Sequence, residues 1–213
     1  MKKDLIMSIK KLGSAIIVSG PSGVGKSTVC GLVREHMPEL KFSISCTTRQ
    51  PRTGEENGVH YYFISKDEFE KRIANNEFIE YARVFDNIYG TLASEVIERV
   101  KNGEDVFLDI DVQGALQIKA AAEKDEFLKK VCDFIILAPP SLDVLEKRLR
   151  GRATDSAEQI EMRLAKAKHE LSFYKEYNYV VINDQLDEAV QSVEAIIRSL
   201  RCCCSRLPED FLQ

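Results

Sequence analysis

One short stretch near the start of the chain, residues 20–28, constrains the fold more than any other. It reads Gly-Pro-Ser-Gly-Val-Gly-Lys-Ser-Thr and contains the pattern Gly-x-x-x-x-Gly-Lys-Ser from Gly20 to Ser27. An apolar, β-branched run at residues 14–19 precedes it, and residues 26–37 are suited to a helix. A strand, a glycine-rich turn and a helix in this order direct backbone N–H groups and the positive helix end at an anion. The stretch therefore predicts a loop that binds a nucleotide phosphate.

Two side chains of this loop carry the expected chemistry. Lys26 is placed to reach the terminal phosphates as a point charge, and the Ser27 hydroxyl is placed to bind Mg²⁺. The alternative is a glycine-rich turn that carries an ordinary surface lysine. A chance match in a chain of this length is on the order of a percent, and the flanking strand and helix lower it further.

Length and charge limit the remaining possibilities. A chain of 213 residues is long for one domain and short for two, so one domain with insertions is expected. The net charge of −4 argues against broad, nonspecific nucleic-acid binding, so an anionic ligand needs locally clustered cations. No apolar run approaches 18 residues and residues 1–11 lack a signal-peptide pattern, so neither a membrane partner nor secretion is expected.

The six cysteines favour a reducing, cytoplasmic compartment. Cys30, Cys46 and Cys132 are isolated within predicted helices or strands, which is typical of buried thiols. Residues 202–204 are three adjacent cysteines, a spacing that suits neither a disulfide framework nor a zinc site.

Residues 42–92 contain several short strands and one helix, and they look like a mostly antiparallel insertion in a chain that otherwise alternates strand and helix. Within them, Arg49 and Arg52 lie in a turn-rich segment stiffened by Pro51. Such arginines often belong to a plain surface loop. Opposite a phosphate-binding loop, a second anion-binding segment is the better interpretation.

The apolar strand predicted at residues 106–111 ends in Asp109 and Asp111. Because strand side chains alternate, both carboxylates point to one face, and the carboxyl ends of parallel strands face the ligand crevice. At least one aspartate is therefore expected to serve a metal or a substrate. The alternative is that they only cap the helix predicted at residues 112–122.

A second cationic segment, residues 147–152, has four arginines or lysines among six positions. A break at residues 151–155 separates it from a polar helix at residues 156–176, which carries Arg163. A solvated charge run is the usual interpretation. In an acidic chain, the segment can instead supply the cations that a transferring phosphoryl group needs.

The remaining pattern predicts strands at residues 42–46, 60–64, 78–84, 88–92, 131–138 and 180–182 and helices at residues 93–102 and 186–200, with helix starts at Ser65 and Ser141.

The order of several motifs resembles the guanylate kinase family over roughly residues 14–200. The motifs lie at residues 20–28, 47–55, 78–81, 89–91, 108–114 and 182–184, and the arginine–glycine–arginine segment before Ala153 resembles the family's lid. The resemblance implies an α/β fold with a three-layer P-loop NTPase core around a central parallel sheet, a small, mostly antiparallel insertion that binds the nucleoside monophosphate, and a helical lid. On this basis the domain spans residues 12–200, with a core at 12–41, 93–145 and 177–200, the insertion at 42–92, the lid at 146–176, and unassigned extensions at 1–11 and 201–213.

The resemblance also implies the activity: Mg²⁺-dependent transfer of a phosphoryl group from ATP to GMP, and to dGMP, in purine nucleotide metabolism and GMP recycling. By similarity, the ATP site comprises Gly20, Pro21, Ser22, Gly23, Val24, Gly25, Lys26, Ser27, Thr28 and Asn183. The GMP site comprises Ser45, Arg49, Arg52, Tyr61, Glu80, Tyr89, Thr91 and Asp111. The implied catalytic residues are Lys26, Arg49, Arg148, Arg152 and Arg163, and the metal ligands are Ser27 and Asp109.

The chemistry of Glu80 supports guanine as the base. Guanine presents donors at N1–H and the 2-amino group, and one carboxylate accepts from both, whereas adenine presents an acceptor at N1. Without the motif, Glu80 is equally well interpreted as a surface acid at a strand edge.

Two other functions remain open. One is an inactive, guanylate-kinase-like scaffold module that binds phosphorylated partners; the complete phosphate loop and the lid arginines argue against it. The other is a kinase for a different nucleoside monophosphate, which Glu80 and Ser45 disfavour. Ala153 stands where the family often has glycine, which would stiffen the lid hinge. A monomer and a homodimer are equally compatible with the sequence.

Overall fold

The computed structural model describes residues 11–84, 86–151 and 156–208. Its elements, in chain order, are β1 Ala15–Ser19, α1 Lys26–His36, β2 Lys41–Phe42, β3 Cys46–Thr47, β4 Tyr62–Phe63, α2 Lys66–Ala74, β5 Phe78–Val84, β6 Asn87–Leu92, α3 Ala93–Lys101, β7 Val106–Asp109, α4 Val112–Ala122, α5 Glu126–Val131, β8 Cys132–Ala138, α6 Leu142–Arg150, α7 Ala157–Ser172, β9 Tyr179–Ile182 and α8 Leu186–Leu200, with short 3₁₀ turns at Phe173–Glu176 and Cys204–Arg206.

The core is a five-stranded parallel sheet with the strand order β2-β7-β1-β8-β9. Every residue of β1 is buried, as expected for a strand covered on both faces. Its Ile16 and Val18 belong to a hydrophobic cluster with residues of α1 and α8, whereas Ala15 and Ile17 belong to a cluster with residues of α3 and α4. Helices therefore cover both faces of a central parallel sheet, and the predicted α/β fold class is confirmed.

A second sheet has the order β4-β3-β6-β5 and is antiparallel except between β3 and β4. The single strand predicted at residues 42–46 is wrong in detail: Phe42 pairs in the core sheet and Cys46 in the second sheet. Alternating polarity marks both halves as extended, but it cannot show that the chain leaves one sheet for the other between them. The predicted helix start at Ser65 is confirmed, since its hydroxyl accepts a bond from the Glu68 N–H at 3.1 Å.

α6 and α7 form a separate helical pair. Leu145 and Leu149 of α6 pack against Ile160 and Ala167 of α7 in a small hydrophobic cluster. Both predicted caps are present: Ser141 accepts from the Val144 N–H, and α7 begins with a capping box at Ser156. α7 ends four residues before the predicted boundary because the chain tightens into a 3₁₀ turn. Residues 152–155 between the two helices, including Arg152 and Ala153, lie outside the described residues.

The segment after α8 folds back against the core. The Arg206 guanidinium, only 2% exposed, pairs with Asp133 at the start of β8 and donates to the Leu200 carbonyl at 2.7 Å. Arg201 pairs with Asp105 and Glu39, each at 2.8 Å. The sequence after residue 200 has no periodicity that predicts this packing, because the packing depends on ion pairs with residues distant in the chain.

All six cysteines are free, and Cys30, Cys46 and Cys132 are buried as expected. Across residues 11–84, 86–151 and 156–208, the helices are too short or too polar to cross a bilayer.

Candidate active site

The predicted phosphate-binding loop lies between β1 and α1. Gly23 and Gly25 have φ values of 89° and 94°, a left-handed conformation that other residues rarely adopt. The carboxamide of Asn183, which is 5% exposed, donates to the Val24 carbonyl at 2.7 Å. A Cβ at Gly25 would lie 2.5 Å from the Asn183 nitrogen. The loop is therefore fixed by both its glycines and the chain segment after β9.

A cleft of about 570 Å³ opens beside this loop and is bounded by the second sheet and by α7. Most of the predicted site residues line it: Gly20, Pro21, Ser22, Gly23, Gly25, Lys26, Ser27, Thr28, Ser45, Arg49, Arg52, Tyr61, Glu80, Tyr89, Asp109, Asp111 and Arg163. The cleft thus brings segments more than 100 residues apart in sequence to one place.

Lys26 and Asp109 form an ion pair inside the cleft. Parallel pairing of β1 with β7 places them together, because Lys26 begins the helix after β1 and Asp109 ends β7. The exposed Ser27 lines the same cleft. A hydroxyl and a carboxylate are the hard oxygen donors that Mg²⁺ prefers, so these residues fit the predicted metal.

Arg49 is held by Glu55 in a two-pronged ion pair, with both N–O distances at 2.9 Å. Its guanidinium also lies 5.4 Å from the centre of the Tyr61 ring. The Arg49 hydrogen bonds lower the pKa of Glu55 to about 2, and the backbone N–H of Arg52 contributes to the shift. The sequence reasoning did not single out Glu55, although it lies in the same motif as both arginines.

Glu80 lies at the opposite side of the cleft in a dry setting. It is 6% exposed, and its carboxylate accepts a hydrogen bond from the Thr91 hydroxyl at 2.7 Å. Burial raises the pKa of Glu80 to about 7, and the negative charge of Asp111 adds to the rise. Glu80 still lines the cleft, so its carboxylate oxygens can accept hydrogen bonds from a ligand there.

Asp111 has the structural role that the sequence offered as an alternative, and its role toward a metal or a substrate stays a prediction. Its side chain caps α4 by accepting from the Gly114 N–H at 2.8 Å, and the residue also lines the cleft. Gly114 lets α4 approach closely, because a Cβ there would lie 2.5 Å from the Glu80 carboxylate.

Some predicted residues lie elsewhere. Arg148 does not line the cleft; it donates to the Asn183 carbonyl at 2.9 Å and to the Asp184 carbonyl at 3.4 Å. Val24 and Thr91 are fully buried; the Val24 carbonyl accepts a hydrogen bond from Asn183, and the Thr91 hydroxyl donates one to Glu80. The predicted contact of Asn183 with adenine stays a prediction, as do the roles of Arg148 and of Arg152, which is not described.

α7 contributes two cleft residues that sequence reasoning missed, Lys166 and Glu170. They follow Arg163 by three and seven positions, the spacing of one helix face, and that periodicity was the available signal. Lys166 lies 3.5 Å from Glu170, and burial raises the pKa of Glu170.

The family model and the curated relatives that match this chain identify one family over most of its length. The guanylate kinase family model matches residues 13–200. The guanylate kinase of Caldanaerobacter subterraneus is 44% identical over 207 residues, covering 97% of both chains. That of Fusobacterium nucleatum is 48% identical over 188 residues, covering 88% of this chain and 97% of the relative. The crystal structure of guanylate kinase from Anaplasma phagocytophilum superimposes with a TM-score of 0.73 at 31% identity, covering 94% of this chain and 93% of that one.

Proposed function

The chain belongs to the guanylate kinase family and is an enzyme of the nucleoside monophosphate kinase class, and from this premise we propose that it phosphorylates GMP at the expense of ATP. A phosphate oxygen of GMP attacks the γ-phosphorus of ATP, and the bond from that phosphorus to the β–γ bridging oxygen breaks. The products are GDP and ADP. dGMP differs only in the ribose 2′-hydroxyl, and we include it as a substrate.

The observation that carries this proposal is the composition of one cleft. A phosphate-binding loop with Lys26 forms one side, and a buried carboxylate, Glu80, forms the other. A triphosphate and a guanine base have opposite requirements, since one needs cations and N–H donors and the other needs an acceptor. One cleft that offers both the cationic loop and the buried acceptor therefore favours the binding of two ligands, between which a phosphoryl group is transferred.

On the acceptor side, Glu80 accepts hydrogen bonds from guanine N1–H and the 2-amino group, and Thr91 holds the carboxylate in place. Ser45 and Asp111 line the same cleft as Glu80, and we assign them to the surroundings of the base. Around the GMP phosphate, the chain supplies the cations and hydroxyls of Arg49, Arg52, Tyr61 and Tyr89.

On the donor side, the loop N–H groups and Lys26 bind the terminal phosphates of ATP. Ser27 and Asp109 would hold Mg²⁺, which supplies charge neutralisation on the phosphate oxygens when bound. Arg163 lines the cleft, and we assign Arg148 and Arg152 to the same bridging role when the lid closes over the phosphates. Lid closure also excludes water, which otherwise competes with GMP for the phosphoryl group.

The substrates place the reaction in purine nucleotide metabolism, where GMP is recycled to GDP. Three buried, free thiols fit a reducing, cytoplasmic setting.

The test is a coupled ADP-release assay with ATP and, in turn, GMP, dGMP, AMP, CMP and UMP. We expect turnover with GMP and dGMP and little with the other three. Preferred use of AMP, CMP or UMP would contradict the guanine assignment. Absence of turnover with every acceptor, together with binding of a phosphorylated peptide, would favour the scaffold module instead.

A further inference from the structure

We propose that Gln117 of α4 is a positioning residue that sets the specificity for the guanine base by holding the backbone that carries Glu80. The inference rests on the proposed function and adds to it a residue that never touches substrate.

Gln117 makes two hydrogen bonds to a single strand residue. Its side-chain oxygen accepts from the Tyr81 N–H at 3.1 Å, and its side-chain nitrogen donates to the Tyr81 carbonyl at 2.7 Å. β5 is an edge strand of the second sheet, so one side of its backbone lacks a partner strand. The carboxamide of Gln117 takes the place of that strand at one residue.

The residue so held is the neighbour of Glu80. The Tyr81 N–H belongs to the peptide unit that joins it to Glu80, so the bond from Gln117 fixes the plane from which the Glu80 side chain projects. Rotation of that plane would move the carboxylate relative to the cleft.

The pairing of β5 with β6 does not fix Glu80 by itself. Phe78 pairs with Leu92, but Glu80 pairs with Thr91, so the register shifts between Phe78 and Glu80. Such an irregularity disrupts the ladder locally and lets the strand bend. Next to this irregularity, the Gln117 side chain of α4 gives the backbone of β5 a second support.

The N-cap of α4, Asp111, and two residues of the helix, Gly114 and Gln117, follow one another at intervals of three and lie on the side of β5. Gly114 lies so close that a Cβ would come within 2.5 Å of the Glu80 carboxylate, and Asp111 caps the helix beside it. α4 follows β7, which belongs to the core sheet. Gln117 thus ties the base-reading strand to the element that follows Asp109 at the phosphate side.

Gln117 is exposed, so its hydrogen bonds add little to overall stability. A positional role is therefore separable from a purely structural one. Gln113, also exposed on α4, makes no side-chain hydrogen bond within the described part of the chain and provides a matched control.

The experiment compares wild type, Gln117→Met and Gln113→Ala with GMP and inosine monophosphate as acceptors. Inosine monophosphate keeps N1–H but lacks the 2-amino group. The ratio of kcat/KM for GMP to kcat/KM for inosine monophosphate therefore reports whether the Glu80 carboxylate is positioned to accept from the 2-amino group. For Gln117→Met we expect KM for GMP to rise about fivefold and the preference for GMP to fall about threefold, with KM for ATP within about twofold. Gln113→Ala should match wild type in all three quantities.

The outcomes separate the inference from the proposed function. If wild type turns over GMP but Gln117→Met keeps the wild-type KM and preference, the inference is wrong and the function stands. Equal rises in KM for GMP and ATP would show general loosening and would also overturn it. If wild type does not phosphorylate GMP, the proposed function and the inference about Gln117 are both wrong. Should Gln117→Met not fold, Gln117→Glu carries the same test, because it keeps an acceptor for the Tyr81 N–H but replaces the donor with a carboxylate oxygen that repels the Tyr81 carbonyl.

Discussion

Two glutamates in the region of the second sheet, Glu55 and Glu80, have opposite electrostatic environments. Glu55 is locked to Arg49, and its pKa falls to about 2. Glu80 is buried beside the Thr91 hydroxyl, no cation among the described residues pairs with it, and its pKa rises to about 7. The same residue type is thus used once as an anchor for a cation and once as an acceptor kept dry.

The difference extends to the two halves of the cleft. On the phosphate side, Lys26 and Arg49 both have internal partners, so a bound phosphate must displace these partners or contact the cations beside them. Arg148, outside the cleft, is likewise bonded to two backbone carbonyls. On the proposed base side, the Glu80 carboxylate is already held by the Thr91 hydroxyl. If the proposed roles hold, the base-binding group is in place before the ligand arrives, whereas the cations must leave their present partners to contact a phosphate.

The largest expected effect tests the phosphate side. Lys26→Ala should lower kcat about 10²- to 10³-fold, because it removes a cation from the phosphoryl group in the transition state. The circular dichroism spectrum should stay unchanged, since Lys26 is partly exposed. Lys129→Ala, which removes an exposed lysine away from the cleft, is the control. Wild-type turnover in Lys26→Ala would refute its role.

The base side should respond almost as strongly and far more selectively. Glu80→Gln replaces a charged acceptor of two hydrogen bonds with a neutral amide, so kcat/KM for GMP should fall about 10²-fold. KM for ATP should remain within about twofold. Glu70→Gln, at a half-exposed position outside the cleft, should behave as wild type. An equal loss of kcat/KM for GMP and for ATP would show that Glu80 does not act selectively on the base side of the cleft.

Arg148→Ala tests whether an arginine that is hydrogen-bonded to two backbone carbonyls in this structure contributes to catalysis. We expect kcat to fall about 30-fold with a smaller rise in KM for GMP, because the arginine would act mainly on the transition state. The measurement is steady-state kinetics with GMP varied at saturating ATP. A rise in KM with unchanged kcat would place Arg148 in ground-state binding instead.

The raised pKa of Glu80 predicts how GMP binding depends on pH. With a pKa of about 7, the ionised fraction falls from roughly nine-tenths at pH 8 to roughly one-tenth at pH 6. KM for GMP should therefore rise about tenfold over this interval. GMP itself titrates near pH 6, so the Glu80→Gln profile provides the correction. Identical profiles for the two proteins would contradict the assignment.

The smallest expected effect is on stability, and it has the opposite sign to the loss of activity. Because folding raises the Glu80 pKa from 4.5 to about 7, the unfolded chain releases this proton first and wild-type stability falls between those pH values. Glu80→Gln removes this cost. Its gain in free energy of unfolding should be about 1–3 kcal/mol larger at pH 8 than at pH 5, measured by urea unfolding. A gain independent of pH would show that the carboxylate is not the cause.

Sequence reasoning located the site residues better than it located their partners. Motif spacing placed Lys26, Asp109 and Glu80 on elements that do meet in one cleft. It missed Glu55, because local motifs do not show which charges pair. It also missed the α5 helix, a six-residue segment shorter than the windows in which helical periodicity is recognisable.

By itself, the sequence determined the glycine-rich loop, the alternation of strands and helices, and the acids at strand ends, because these depend on local conformational preference and periodicity. Only the tertiary structure decided that Glu80 is dry, that Arg148 rests on the carbonyls of Asn183 and Asp184, and that Gln117 completes the edge of β5. Burial and pairing are set by residues distant in the chain. No local pattern can encode them.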